Sequence, residues 1–100
     1  MRFRLVFTTR AAQDLHALEF NDDKRDPVKL KKVRRCLALL EADPRHPGLE
    51  THEYQSMKGR CGERVWEAYV ESNTPAAWRV FWHYGPDQGT ITVIAITRHP

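Results

Sequence analysis

The stretch WRVFWHYGPDQGTITVIAITRHP, residues 78–100, decides the fold. It alternates apolar and polar residues on both sides of GPDQG at 85–89, whose glycines and proline predict a turn. Alternation with a period of two predicts half-buried β-strands, here the two arms of a hairpin. The same period continues upstream, with a second turn predicted at 72–75. The strands that we expect in this half are Tyr54–Lys58, Val65–Glu71, Ala77–Tyr84 and Thr90–Thr97.

The N-terminal half has a different period. Residues 2–7, RFRLVF, predict a first strand, and Thr8 or Thr9 can cap a helix that runs to about Phe20. Asp26-Pro27 is a strong helix start, and Asp43-Pro44 is a stop. Four apolar residues between them keep helical spacing along one side; they are Leu30, Val33, Leu37 and Leu40. We therefore predict one α+β domain, residues 1–100, with a two-helix hairpin packed on one face of a twisted, mainly antiparallel sheet.

Composition narrows the class of protein. The 100-residue chain has a formal charge of +3, which weakly favours an anionic partner. Its cysteines, Cys36 and Cys61, form no CxxC motif, so we expect free thiols in a reducing cytoplasm. The sequence predicts neither a signal peptide nor a membrane span. His46 and His52 lack metal-ligand spacing, so we expect no metal and no cofactor.

Strand alternation predicts which side chains share a face of the sheet. On the face beneath the helices we expect Trp66, Ala68, Val70, Trp78, Val80, Trp82, Tyr84, Ile94 and Ile96. On the other face we expect Val65, Glu67, Tyr69, Glu71, Arg79, Phe81, His83, Ile91, Val93, Ala95, Thr97 and His99. Counting through the turns without a bulge pairs Tyr69 with Arg79, and Arg79 with Ala95. That register separates Arg79 from His99 by roughly 13 Å.

The second face carries groups that are suited to chemistry. An arginine in a central strand is costly unless its guanidinium reaches water, a partner or a ligand. Histidines and a carboxylate beside it can move protons near neutral pH. The simpler alternative is a solvated sheet face, which often carries charges without any catalytic role.

A basic segment lies at the start of the second predicted helix. Residues 24–35 contain seven lysines and arginines against one acid. Such a run is often only a solvated helix face, but it would also suit RNA or an acidic protein. The residues that we consider for nucleic-acid contact there are Lys31, Lys32 and Arg35. Lys58, Arg60 and Arg64 could contact phosphates near the sheet.

Three segments together carry a family resemblance. They are RFRLVFT leading into RAAQDLHAL, then KVRRCLALLEADP, and finally WRVFWHYGPDQGTITVIAITRHP. Over nearly the whole chain they resemble the RelE/ParE superfamily of bacterial type II toxins. The most specific part is the arginine inside WRVFW, followed by a hairpin and a short polar tail. The resemblance implies a toxin that a cognate antitoxin protein silences. In the RelE-, YoeB- and HigB-like branches it implies ribosome-dependent cleavage of mRNA, whereas ParE-like members poison DNA gyrase.

The resemblance also implies site residues. Arg79 matches the arginine that stabilises the transition state, and His99 looks like the near-terminal histidine of the YoeB-like branch, a general acid. A base is expected near the start of the sheet, where Glu50, His52 and Glu53 remain alternatives. RelE proper uses lysines on the third strand, where this chain has Glu67 and Glu71, which favours a His/Glu/Arg set. Further RNA contacts are assigned to Tyr69, His83 and Arg98, and Tyr54 or Tyr69 could stack a base. A purely binding module with this fold stays open as well.

Overall fold

The sheet forms the centre of the molecule, and both helices pack on one side of it. The computed structural model describes residues 2–72, 74 and 77–99. The elements are β1 (Arg4–Phe7), α1 (Thr9–Phe20), α2 (Pro27–Ala42), a 3-10 turn (Pro47–Leu49), β2 (His52–Lys58), β3 (Arg64–Tyr69), β4 (Trp78–Tyr84) and β5 (Thr90–Arg98). The strand order is β1-β5-β4-β3-β2, with β1 parallel to β5 and the other pairs antiparallel. The predicted α+β class is confirmed. Of the turn predicted at 72–75, Asn73 and Pro75 lie outside the described residues.

The helix boundaries follow from their caps. The Thr8 hydroxyl accepts a hydrogen bond from the Ala11 N–H at 3.1 Å, and the Asp26 carboxylate accepts one from the Lys29 N–H at 3.0 Å. Pro27 occupies the first turn of α2, where its missing N–H has no intrahelical partner to lose. The predicted start of α2 and its stop at Asp43-Pro44 are confirmed.

Two apolar clusters lie on opposite sides of the sheet. The larger one fills the space between sheet and helices, and its largest fully buried side chain is Trp82. The smaller one lies on the other side and joins Val65, Phe81 and Ala95, with Tyr54 packed against it. We call this second side of the sheet the open face, because α1 and α2 leave it uncovered.

The register between β4 and β5 differs from the simple count in two places. Tyr84 pairs with Ile91 rather than with Thr90, so the turn contains one residue more than the simple count assumes. A β-bulge adds a second extra residue to β5. Phe81 pairs with Ala95 and Trp82 pairs with Val93, so Ile94, between Val93 and Ala95, has no partner in β4. The predicted pairing of Tyr69 with Arg79 is confirmed.

The bulge corrects three expectations. Arg79 pairs with Thr97, so the predicted pairing with Ala95 is wrong. Ile91 and Val93 were expected on the open face but belong to the helix-side core. Ile94 was expected beneath the helices but packs in the open-face cluster. The physical reason is that one extra residue in a strand reverses the alternation on one side of it.

Glu71 ties α2 to the sheet just beyond β3. Its carboxylate lies 3.3 Å from Lys29 Nζ and 3.6 Å from Lys32 Nζ, and it accepts a hydrogen bond from the Trp78 N–H at 3.2 Å. Burial raises the pKa of Glu71, but the Trp78 N–H and the two ammonium groups outweigh burial and hold that pKa below its usual value. The sequence predicted that β3 would end at Glu71, but β3 ends at Tyr69, two residues earlier.

Candidate active site on the open sheet face

A single buried carboxylate organises the open face. Glu67 lies at the middle of β3, and only 2% of its surface is exposed. Its Oε1 is 2.5 Å from His52 Nε2, and its Oε2 is 3.4 Å from His99 Nε2. Its Oε2 also faces Arg79 Nε at 4.0 Å. Two imidazoles and a guanidinium therefore converge on one glutamate.

His52 is oriented from both sides. It pairs directly with Glu67 across β2 and β3, and its Nδ1 lies 3.0 Å from the Glu50 carbonyl oxygen. A carbonyl oxygen can only accept, so Nδ1 carries a proton and Nε2 is the nitrogen that exchanges protons with its surroundings. The sequence placed His52 in a loop, which is wrong, because β2 begins at His52.

His99 reaches the cluster because the extra residue at the turn and the bulge together shift β5 by two residues along β4. Its N–H donates to the Ala77 carbonyl at 2.9 Å, which continues the β4–β5 ladder past Arg98. His99 then lies two residues from the partner of Arg79, roughly 7 Å along the strand instead of the 13 Å expected from the simple count. The imidazole also makes an edge contact with Tyr54, with ring centroids 5.8 Å apart.

Arg79 lies beneath the cluster rather than at its surface. Its side chain is 10% exposed, and its guanidinium carbon is 3.6 Å from the centroid of the Tyr69 ring. Its Nη1 donates to the carbonyls of Glu71 and Trp78 at 2.7 and 3.0 Å. Nε has no hydrogen-bond partner among the described residues, although the Glu67 carboxylate faces it. Arg79 thus contributes positive charge from below the imidazoles.

The two other candidate bases point elsewhere. Glu53 follows His52 in β2 and therefore projects from the opposite face, where its carboxylate accepts hydrogen bonds from Arg64 at 2.6 and 3.1 Å. Those hydrogen bonds hold the pKa of Glu53 below its usual value. Glu50 is exposed, has a left-handed backbone with φ of 47°, and reaches the cluster only through its carbonyl. The structure therefore brings His52, and neither glutamate side chain, to His99.

The residues considered for nucleic-acid contact are spread over both faces. Tyr69 belongs to the cluster, where its ring also contacts His52 edge-on at 5.4 Å. Lys58 and Arg60 are exposed at the β2–β3 turn, and His83 lies under the open face with 6% exposure. Arg98 pairs with Trp78 and shares its helix-side face. The remaining candidates, Lys31, Lys32 and Arg35, are exposed on α2, across the sheet from His99.

Glu67 is the site residue that sequence reasoning left out of the catalytic set. Alternation had already put it on the same face as Tyr69 and Arg79. The additional signal was its position between Trp66 and Ala68, in a run that is otherwise apolar or aromatic from Val65 to Val70, where a carboxylate needs a charged partner. Within the described ranges, no group of three or more His, Cys, Asp or Glu residues is arranged to hold a metal ion. The described helices include none that is long and apolar enough to cross a bilayer.

Comparison with solved structures settles the architecture. The YoeB/ParE toxin from Agrobacterium tumefaciens superposes with a TM-score of 0.69 at 14% identity, over 97% of this chain and 99% of that chain. The RelE–RelB complex from Pyrococcus horikoshii gives a TM-score of 0.65 at 12% identity, over 98% of this chain and 96% of that chain. The fold is that of the RelE/ParE toxins.

A third RelE/ParE structure agrees with these two. The RelBE toxin–antitoxin complex of E. coli gives a TM-score of 0.62 at 14% identity, over 98% of each chain. No family model matches the sequence, and no curated protein matches it. The fold that the sequence resemblance implied is thus confirmed by structure, at sequence identities of 12–14%.

Proposed function

We propose that this protein is the toxin of a type II toxin–antitoxin pair and that it cuts mRNA on the ribosome. One observation carries the proposal: the imidazoles of His52 and His99 contact the two oxygens of one buried carboxylate. Since those oxygens are about 2 Å apart, the two Nε2 atoms lie within roughly 8 Å of each other. A phosphodiester that bridges them would meet one proton acceptor and one proton donor.

The reaction that fits this pair is transfer of the RNA phosphate to its own 2′-oxygen. For this step His52 exchanges its contact with Glu67 for one with the 2′-hydroxyl and takes that proton on Nε2; the 2′-oxygen then bonds to phosphorus, and the bond to the 5′-oxygen breaks. His99 gives its proton to that leaving oxygen, so the products are a 2′,3′-cyclic phosphate and a 5′-hydroxyl. No cofactor takes part, and the histidine protons are restored through water.

Glu67 and Arg79 act as positioning residues in this scheme. Glu67 fixes the orientation of both imidazoles, and it stabilises whichever one is positively charged. Arg79 adds positive charge beneath the phosphate, where negative charge grows in the transition state. Its burial under Tyr69 means that it acts through the field of the site and through Glu67.

The shape of the open face supports a target presented by a larger particle. Four grooves with volumes of about 360–660 Å³ are lined by residues other than His52, Glu67 and His99. A shallow site binds a flexible RNA strand weakly by itself, because it must order the strand without enclosing it. The ribosome would hold the mRNA already extended, which places the protein in the bacterial cytoplasm. Its antitoxin would silence it by covering the open face.

Induced expression in a bacterial host tests the proposal. We would compare wild type, His52→Ala, His99→Ala and Glu53→Ala, with growth curves and primer extension on a reporter mRNA. Wild type and Glu53→Ala should stop growth and cut mRNA at positions in register with codons, and both histidine variants should lose cutting by a factor on the order of 100 or more.

Other outcomes would exclude the nuclease. Growth arrest with intact mRNA and broken DNA would assign the chain to the gyrase-poisoning class of the same fold. Unchanged growth in all four strains, with the folded protein present, free of antitoxin and still able to bind it when it is added, would make it a binding module. Cutting that survives in both histidine variants would remove these residues from the mechanism.

A further inference from the structure

A second cleft lies on the open face, at the far end of β4 from the histidine cluster. Its volume is about 550 Å³, within the range of roughly 300–1,000 Å³ that small-ligand sites occupy. Two of the residues that line it, Pro86 and Ile94, are apolar, and Ile94 belongs to the open-face cluster. His83, Lys58 and Arg60 line it as well. The cleft therefore combines apolar surface with positive charge.

His83 gives the cleft a directed polar group. The residue is buried, and its Nδ1 lies 2.7 Å from the Tyr84 carbonyl oxygen. The carbonyl requires a proton on Nδ1, so Nε2 of the neutral ring is a hydrogen-bond acceptor. His83 lines the cleft, so Nε2 is the acceptor that its ring can offer to an occupant.

The rim of the cleft attracts anions. Lys58 and Arg60 are exposed, and neither forms an ion pair with any residue in the described part of the chain. The nearby acid, Glu63, is turned into its own loop, where its Oε1 accepts a hydrogen bond from the Cys61 N–H at 2.9 Å. The hydrogen bonds of that loop hold the pKa of Glu63 below its usual value.

We propose that this cleft binds one unpaired base of the RNA strand that is cut at the histidine cluster, with the neighbouring phosphate on Lys58 and Arg60. This inference rests on the proposed function. His83 lies four residues along β4 from Arg79, or roughly 13 Å, so the base belongs to a nucleotide one or two positions from the scissile phosphate. Apolar walls suit the face of a base, and lysine and arginine suit its phosphate.

The acceptor on His83 also predicts a preference between bases. Adenine and cytosine present an exocyclic amine that can donate to Nε2. Uracil can donate to Nε2 only through its ring N3–H, which lies recessed between two carbonyl oxygens that repel the lone pair of Nε2. We expect adenine or cytosine to bind the cleft better than uracil.

Cysteine labelling reads occupancy of the cleft without any need for cleavage. Cys61 is exposed and lines the cleft, whereas Cys36 is buried in the helix-side core and serves as an internal control. A His52→Ala/His99→Ala chain keeps the RNA intact while iodoacetamide modifies Cys61. An oligoadenylate or oligocytidylate at four times its Kd should slow that labelling about fivefold, because only the unoccupied cleft reacts.

Further variants identify the groups that bind. Oligouridylate should protect less at the same concentration, and His83→Ala should remove the difference between bases. Lys58→Ala/Arg60→Ala should raise the concentration of every RNA that is required for half-maximal protection. Arg45→Ala, which removes an exposed cation that does not line the cleft, should leave protection unchanged. Fluorescence spectra should confirm that each variant is folded before it is labelled.

The failures of the two proposals can be told apart. If no RNA slows labelling of Cys61, or if all sequences protect equally with and without His83, the base site is wrong even when wild type cuts mRNA. If the adenine-bearing oligomer protects through His83 but wild type cuts nothing, the cleft stands and the nuclease proposal falls.

Discussion

Replacing Glu67 by glutamine should destabilise the protein far more than its single lost charge suggests. Glu67 is 2% exposed, and the side chain of Arg79 is 10% exposed, so the guanidinium loses a buried counter-charge. Breaking a buried pair from one side costs about 3–5 kcal/mol. Arg79 keeps two carbonyl hydrogen bonds, which places the expected loss near the lower end, at about 3 kcal/mol.

Urea unfolding at pH 7, followed by tryptophan fluorescence, measures this loss. In thermal unfolding it corresponds to a Tm lower by about 12–24 °C for a domain of this size. Glu53→Gln is the matched control, since that carboxylate pairs with Arg64 at the surface, and it should leave the midpoint near that of wild type.

A double variant shows whether the buried guanidinium is the cause. Glu67→Gln/Arg79→Gln should be more stable than the sum of the single changes predicts, by about 1 kcal/mol or more. Additivity within about 0.5 kcal/mol, or a Glu67→Gln chain as stable as wild type, would refute the view that the two charges depend on each other.

Three further predictions concern the scaffold. Glu71→Gln should lower the free energy of unfolding by about 1 kcal/mol at pH 7. Because the pKa of Glu71 is lowered in the folded state, this difference from wild type should persist above the ordinary pKa of 4.5 and fade as the pH drops through the folded value. A difference that stays constant down to pH 2 would contradict the pairing with Lys29. With Ellman's reagent at pH 8, Cys61 should react at once and Cys36, whose pKa burial raises to about 12, only on unfolding; two fast thiols in the native protein would be inconsistent with this core. Asp26→Ala should lower stability by about 1 kcal/mol in urea, with Asp26→Ser restoring most of it, and equal stability of all three chains would mean that the cap contributes nothing.

The sequence predicts the elements of this fold well because each has a local cause. The Asp26-Pro27 start, the apolar stripe through Leu40 and the hairpin turn between β4 and β5 depend on neighbours in the chain, and the structure has them where the pattern indicates. The pairing of Tyr69 with Arg79 also follows from counting through one turn. Local rules suffice wherever no residue is inserted between the two strands.

The site is less predictable, because it depends on distant pairings. His52 contacts Glu67 only because of the β2–β3 register. His99 contacts Glu67 only because of the β4–β5 register, which includes a bulge that no residue type in the sequence indicates. The burial of Arg79 is likewise a property of the assembled face, since Tyr69 covers it from a neighbouring strand. Residue types indicated the chemistry, but the identity of the shared carboxylate required the tertiary structure.

Ile94 is a residue that the hydrogen-bonded ladder does not need. The pairs on either side of it, Phe81 with Ala95 and Trp82 with Val93, would be consecutive in a regular strand if Ile94 were removed. The chain would lose the hydrogen bond from the Thr8 hydroxyl to the Ile94 carbonyl at 2.7 Å, the packing of the Ile94 side chain in the open-face cluster, and the local twist that a bulge adds. Removing this one residue would thus keep the strand pairs between β4 and β5 and still change the direction in which His99 projects. Ile94 therefore sets the local angle of β5 rather than its pairing.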